Sequence, residues 1–100
     1  MANNKKRILE TLKANGNELR TRFSVKRIGL FGSYARGEQG KKSDIDLLVE
    51  FENPTYDHYM DLKFFLEKLL RAKVDIVMAD TLKPRIKPYI EQEVIYAQGL

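Results

Sequence analysis

An α/β domain with a small mixed β-sheet and flanking helices is what this sequence predicts, and three observations carry the prediction. Apolar residues recur in two rhythms, one every three to four positions and one in short continuous runs, the marks of helix and strand. These segments alternate in the order α-β-α-β-α-β-α, which favours helices layered on a sheet. The link between the first two strand-like runs is too short for a crossover helix, which needs about a dozen residues, so the sheet should be mixed. Strand order does not follow from these patterns. With 100 residues and a hydrophobic fraction of 43%, the chain suits one compact domain over residues 1–100.

The elements follow in order. Ile8, Leu9 and Leu12 stand at helical spacing behind Asn3-Asn4, a start that can cap a helix. Leu19 and Phe23 extend the pattern past Gly16, where the helix either kinks or ends. The run VKRIGLF, residues 25–31, is a strand by its β-branched and aromatic content and its stop at Gly32-Ser33. A short helical turn is expected over residues 34–37, then a polar loop, EQGKK, then a second strand from Asp44 to Phe51 that Asn53-Pro54 closes. From Tyr56 to Arg71, Tyr59, Leu62, Leu66 and Leu69 mark a buried helix face. KVDIVMA, residues 73–79, is the third strand. After Pro84 and Pro88, both tolerable near a helix start, Ile86, Ile90, Val94 and Ala97 mark a last helix.

Composition excludes several classes. No apolar run approaches the roughly 20 residues of a membrane span, and the N-terminus has no continuous apolar stretch of the signal-peptide kind. There are no cysteines, hence no disulfides or thiolate zinc sites, and the expected location is cytoplasmic. Residues 1–50 hold eleven Lys and Arg against six Asp and Glu, while residues 51–100 hold seven against eight. The basic half suits a phosphate-bearing ligand. For Lys5, Lys6, Arg7 and Lys13 a solvated helix face is the plainer account.

Asp44 and Asp46 pose the functional question. Asp is depleted from strands, yet these two lead into the apolar run LLVEF. Alternation along a strand sends both to one side, while Ile45 and Leu47 go to the other. Two such carboxylates repel unless a cation lies between them, and oxygen-only donors favour Mg²⁺ or Mn²⁺ over zinc. A third acid, Asp75, interrupts VDIV in the same way; if the two strands are neighbours, three carboxylates converge. Gly32 allows close backbone approach to a ligand, and Ser33 offers a hydroxyl and an N–H to an anion such as a triphosphate. A Walker loop is excluded because its glycine spacing is missing, and an EF-hand because its later oxygen ligands are missing. Lone His58 is most simply a solvated helix-start residue, and Tyr34 and Ser43 flank the motif with open roles.

LFGSYARG, ten residues between Ser33 and Asp44, and then SDIDLLVEF together resemble the signature of the DNA polymerase beta-like nucleotidyltransferase superfamily, specifically its minimal nucleotidyltransferases. VDIV and the ending LKPRIKPYIEQEVIYA are similar too, so the likeness covers nearly the whole chain. The resemblance implies a nucleotidyltransferase fold in which Gly32 and Ser33 hold the nucleotide phosphates and Asp44 and Asp46 bind metal, two Mg²⁺ ions being expected. Asp75 would complete the metal site and help deprotonate the acceptor hydroxyl. Arg36 is either a phosphate or partner contact or a surface cation. The family further implies ATP as substrate and a helical HEPN-domain toxin as partner, neutralised by AMP transfer to a tyrosine hydroxyl. Two alternatives stay open: a non-catalytic module that silences its partner by contact, and transfer to RNA or a small molecule. The basic half permits nucleic acid, which is not the expected partner.

Overall fold

The computed structural model describes residues 3–98. Helix α1, Lys5–Ala14, starts where Asn4 Oδ1 accepts the Arg7 N–H at 2.8 Å, satisfying one of the free amides of a helix start. Gly16 is a new beginning rather than a kink: Asn15 interrupts the pattern, and α2 runs Gly16–Phe23. Ser24, in the left-handed region at φ 62, turns the chain out of α2 into strand β1, Val25–Phe31. Then come α3, Gly32–Arg36; β2, Ile45–Phe51; and α4, Tyr56–Leu70, capped by Thr55 Oγ1 accepting the His58 N–H at 3.0 Å. Strand β3, Val74–Met78, a 3-10 turn over Ala79–Thr81, α5, Lys87–Glu93, and β4, Ile95–Tyr96, complete the order.

The sheet is mixed, as expected, with strand order β3-β2-β1-β4. β1 runs antiparallel to β2 and β4, while β2 and β3 are parallel and joined by the crossover helix α4. Ile45, Leu47 and Val49 of β2 are fully buried against Ile8, Leu12, Leu62 and Leu66, so α1, α2 and α4 cover one sheet face. The other face carries Asp46, Leu48 and, on β3, Asp75. Among the described residues no helix is long and apolar enough to cross a membrane.

Four boundaries differ from expectation. β2 begins at Ile45, leaving Asp44 just outside it, and β3 is limited to 74–78. The helical turn after β1 starts at Gly32 rather than 34. The last helix stops at Glu93, so Val94 and Ala97 are not helical, and a fourth strand follows that the periodicity hid. The reason lies across the sheet, at Gly29. A Cβ there would stand 2.5 Å from Val94 Cγ2 and 2.9 Å from Tyr96 Cδ1, so only glycine lets the C-terminal chain cross β1 this closely. Arg27 stacks on the Tyr96 ring at 4.1 Å and holds the strand from its outer side.

Candidate active site

Asp46 is the second residue of β2, facing Phe31 of β1 on one side and Asp75 of β3 on the other. Residues in register on neighbouring strands project to the same face, so Asp46 and Asp75 emerge side by side, away from the helical layer. Asp44 is exposed on the loop that enters β2. Strand alternation therefore does not govern it, although its charge still acts on Asp46.

Gly32 sits at φ +75, where an L side chain is strained, and a Cβ built on it would lie 2.1 Å from Asp46 Oδ2. The open side of this glycine is thus filled by the Asp46 carboxylate, which lies directly against the first turn of α3. Ser33 is the next residue and is partly exposed. Arg36, at the end of α3, is bound by two carboxylates: its Nε donates to Glu38 Oε1 at 2.7 Å and its Nη1 to Glu93 Oε1. These partners push the guanidinium pKa up. α3 thereby brings Gly32, Ser33 and Arg36 to the edge where Asp44, Asp46 and Asp75 stand.

Burial, then the charges of Asp75, Asp44 and Glu93, hold the Asp46 carboxyl above its ordinary range, and Arg36 only partly opposes them. An anion crowded by three others wants a cation. Among the described residues, however, no three His, Cys, Asp or Glu side chains are gathered tightly enough to hold a metal ion by themselves. The two observations agree for Mg²⁺, which is bound through one or two carboxylates and takes its remaining oxygens from water and substrate phosphates. The donor set, oxygen-only and incomplete, fits such an ion, which Asp46 would hold with one of its neighbours, Asp75 or Asp44.

Glu93 is the residue that sequence reasoning passed over. It joins α5 to α3 through Arg36 and adds negative charge near Asp46. An acid near the end of an exposed helix gives no local signal; only the fold of the C-terminal segment over Gly29 places it. His58 is structural: its Nδ1 donates to the Asn53 carbonyl at 2.8 Å, tying the start of α4 to the end of β2.

A family model described as a nucleotidyltransferase domain matches residues 12–97. The protein adenylyltransferase MntA of Thermococcus cleftensis is 46% identical over 86 residues, covering 85% of this chain and 87% of that one. A solved structure described as a candidate minimal nucleotidyltransferase is 43% identical with a TM-score of 0.72, covering 87% of this chain and 93% of the other. A toxin-antitoxin crystal structure with AMP-PNP shares the fold at a TM-score of 0.69 and 24% identity, covering 98% of this chain and 75% of that one.

Proposed function

The chain belongs to the nucleotidyltransferase domain family, and from that premise we propose that it transfers AMP from ATP, with Mg²⁺, to a tyrosine hydroxyl of a HEPN-type toxin and so acts as its antitoxin. The observation that carries the reading is the in-register pair Asp46 and Asp75 beside Gly32, with Asp46 crowded by negative charge. A relative named protein adenylyltransferase supports AMP as the group transferred, and toxin-antitoxin structures of the same fold support the kind of partner.

In this mechanism Asp44, Asp46 and Asp75 would hold Mg²⁺, two ions in the fullest form, which would neutralise charge on the phosphates and lower the pKa of the attacking hydroxyl. Gly32 and Ser33 present the start of α3 to the triphosphate. Arg36 exchanges its carboxylate partners for phosphate oxygens. Asp75 accepts the proton of the acceptor hydroxyl as its oxygen bonds to the α-phosphorus; the bond to the β-phosphate oxygen breaks, and pyrophosphate leaves. The proton then passes to solvent.

The test pairs two labels. With the cognate toxin and Mg²⁺, label on the α-phosphate of ATP should appear on the toxin, and label on the γ-phosphate should leave with pyrophosphate. Transfer of γ-label would make the chain a kinase and end this reading. Asp44→Ala/Asp46→Ala should bind the toxin yet transfer nothing. If that variant still neutralises the toxin fully in cells, the contact-only module is correct instead.

A further inference from the structure

Arg36 stands one helical turn beyond the residue that touches Asp46. Gly32 and Arg36 are the first and last residues of α3, and the space of the missing Gly32 side chain is taken by the Asp46 carboxylate. Helical side chains lean toward the N-terminus of their helix, which for Arg36 is the direction of Gly32 and the acids. Asp46 feels the Arg36 charge. A carboxylate crowded by other acids is the partner a guanidinium takes, by two parallel N–H bonds. Yet both side-chain hydrogen bonds of Arg36 go elsewhere, Nε to Glu38 Oε1 at 2.7 Å and Nη1 to Glu93 Oε1. On Asp46, the guanidinium would supply the positive charge that the acids call for and would block a metal ion there. The site would be closed by its own side chain.

The fold places both glutamates to prevent this. Gly37, at φ +72, ends α3, and the Glu38 N–H donates to the Ser33 carbonyl at 2.8 Å, which folds Glu38 back beside the helix. Glu93 arrives from the end of α5, and its side chain is 23% exposed against 62% for Glu38, so it is the better fixed of the two. Scaffold stability is a poor account of the pair: exposed ion pairs contribute little, and Glu93 adds negative charge beside an Asp46 that already has too much. We propose that Glu93, assisted by Glu38, is a positioning residue that holds the Arg36 guanidinium off the Asp46 carboxylate and so keeps that carboxylate open to a divalent cation. The inference rests on the metal-binding role given to the carboxylates above, and it explains why Arg36 stays available for phosphate oxygens.

The test reads the position of Arg36 and the cation site separately, on the full chain without nucleotide or toxin. A crystal structure of metal-free Glu38→Ala/Glu93→Ala should show the Arg36 guanidinium hydrogen-bonded to the Asp46 carboxylate; a guanidinium left in solvent would overturn the proposal. Mn²⁺ is the probe for the cation, with the unbound ion counted by electron paramagnetic resonance. Glu93→Ala should weaken Mn²⁺ binding roughly three- to tenfold, and Glu93→Gln, which keeps an acceptor for Nη1, should weaken it less. In an Arg36→Gln background the effect of Glu93→Ala should shrink to within about twofold. An equal loss in that background would make Glu93 a ligand or a charge acting on its own, and a lowered Tm with unchanged Mn²⁺ affinity would make it part of the scaffold; either result overturns the proposal. Should Glu93→Ala fail to fold, Glu93→Gln in the same two backgrounds decides. Asp46→Asn separates the two readings. If it leaves Mn²⁺ binding intact, the carboxylates are no metal site and both readings fall; if it abolishes binding that the Glu93 variants do not weaken, only this inference falls.

Discussion

Gly32 and Asp46 compete for the same space, which makes them a measurable pair. In Gly32→Ala the new methyl group meets Asp46 Oδ2 at 2.1 Å and the backbone stays at φ +75, so the variant carries both a clash and roughly 1–2 kcal/mol of left-handed strain. Removing the carboxylate in Asp46→Ala relieves the clash, though not the strain. A double-mutant cycle by urea denaturation should therefore show Gly32→Ala costing less in the Asp46→Ala background; strictly additive costs would mean that the two residues do not touch. Asp46 also gives a pH prediction. Because its folded pKa is raised, its favourable contribution is complete below the ordinary unfolded value and is lost as pH rises through the folded value. In EDTA, Asp46→Asn should thus be more stable than the parent at pH 7, and the difference should shrink toward zero near pH 3. A less stable Asn variant at pH 7 would assign Asp46 a structural role. Asp46 and Asp75 stood out in the sequence because Asp inside apolar strand runs is costly without a purpose, whereas Glu93 is an ordinary polar residue whose meaning depends on what the fold sets beside it.

Among the elements, the strands with seven and five residues were legible because their apolar runs are long enough to declare a period, and α4 because its buried residues recur over fifteen positions. β4 was not, since two residues have no period of their own. The Val94 N–H still donates to the Ile90 carbonyl at 2.9 Å, so helical spacing outlasts the helix by one residue and disguises its end. What makes β4 a strand is the bare surface of Gly29, 65 or more positions away in sequence. Gly29→Val should expel β4 from the sheet at a cost of about 1–3 kcal/mol. Hydrogen exchange of the Ala97 amide, which donates to the Ile28 carbonyl at 2.9 Å, should then accelerate, while amides of the β2 and β3 ladder keep their protection. Unchanged protection at Ala97 would show that the C-terminal strand does not depend on that glycine. Leu47→Ala, by contrast, opens the buried face beneath the helices and should lower global stability by about 2–5 kcal/mol without that local signature.

For the molecule as a whole, the mixed sheet and the helical layer were foreseeable, but strand order was not, because pairing is decided by which buried faces match in three dimensions. The order matters for function: only with β3 beside β2, in parallel and in register, does Asp75 reach Asp46 from 29 positions away. One sheet face then carries the buried core and the other the paired carboxylates, and the two should separate in a thermal experiment. If Mg²⁺ and ATP bind at the carboxylate face, ligand at a hundred times Kd adds about 2.7 kcal/mol to folding. In a domain of this length that raises Tm by roughly 10–20 °C. ATP in EDTA should give much less, and Asp44→Ala/Asp46→Ala should lose most of the Mg²⁺-dependent rise while its own ligand-free Tm stays level or increases, since clustered negative charge has been removed. Differential scanning calorimetry of parent and variant, with Mg²⁺ or EDTA, reads all of these at once. If the variant keeps the full Mg²⁺-dependent rise, the metal and the nucleotide are held elsewhere and the carboxylate pair loses its assigned role; if its ligand-free Tm collapses, the carboxylates belong to the scaffold.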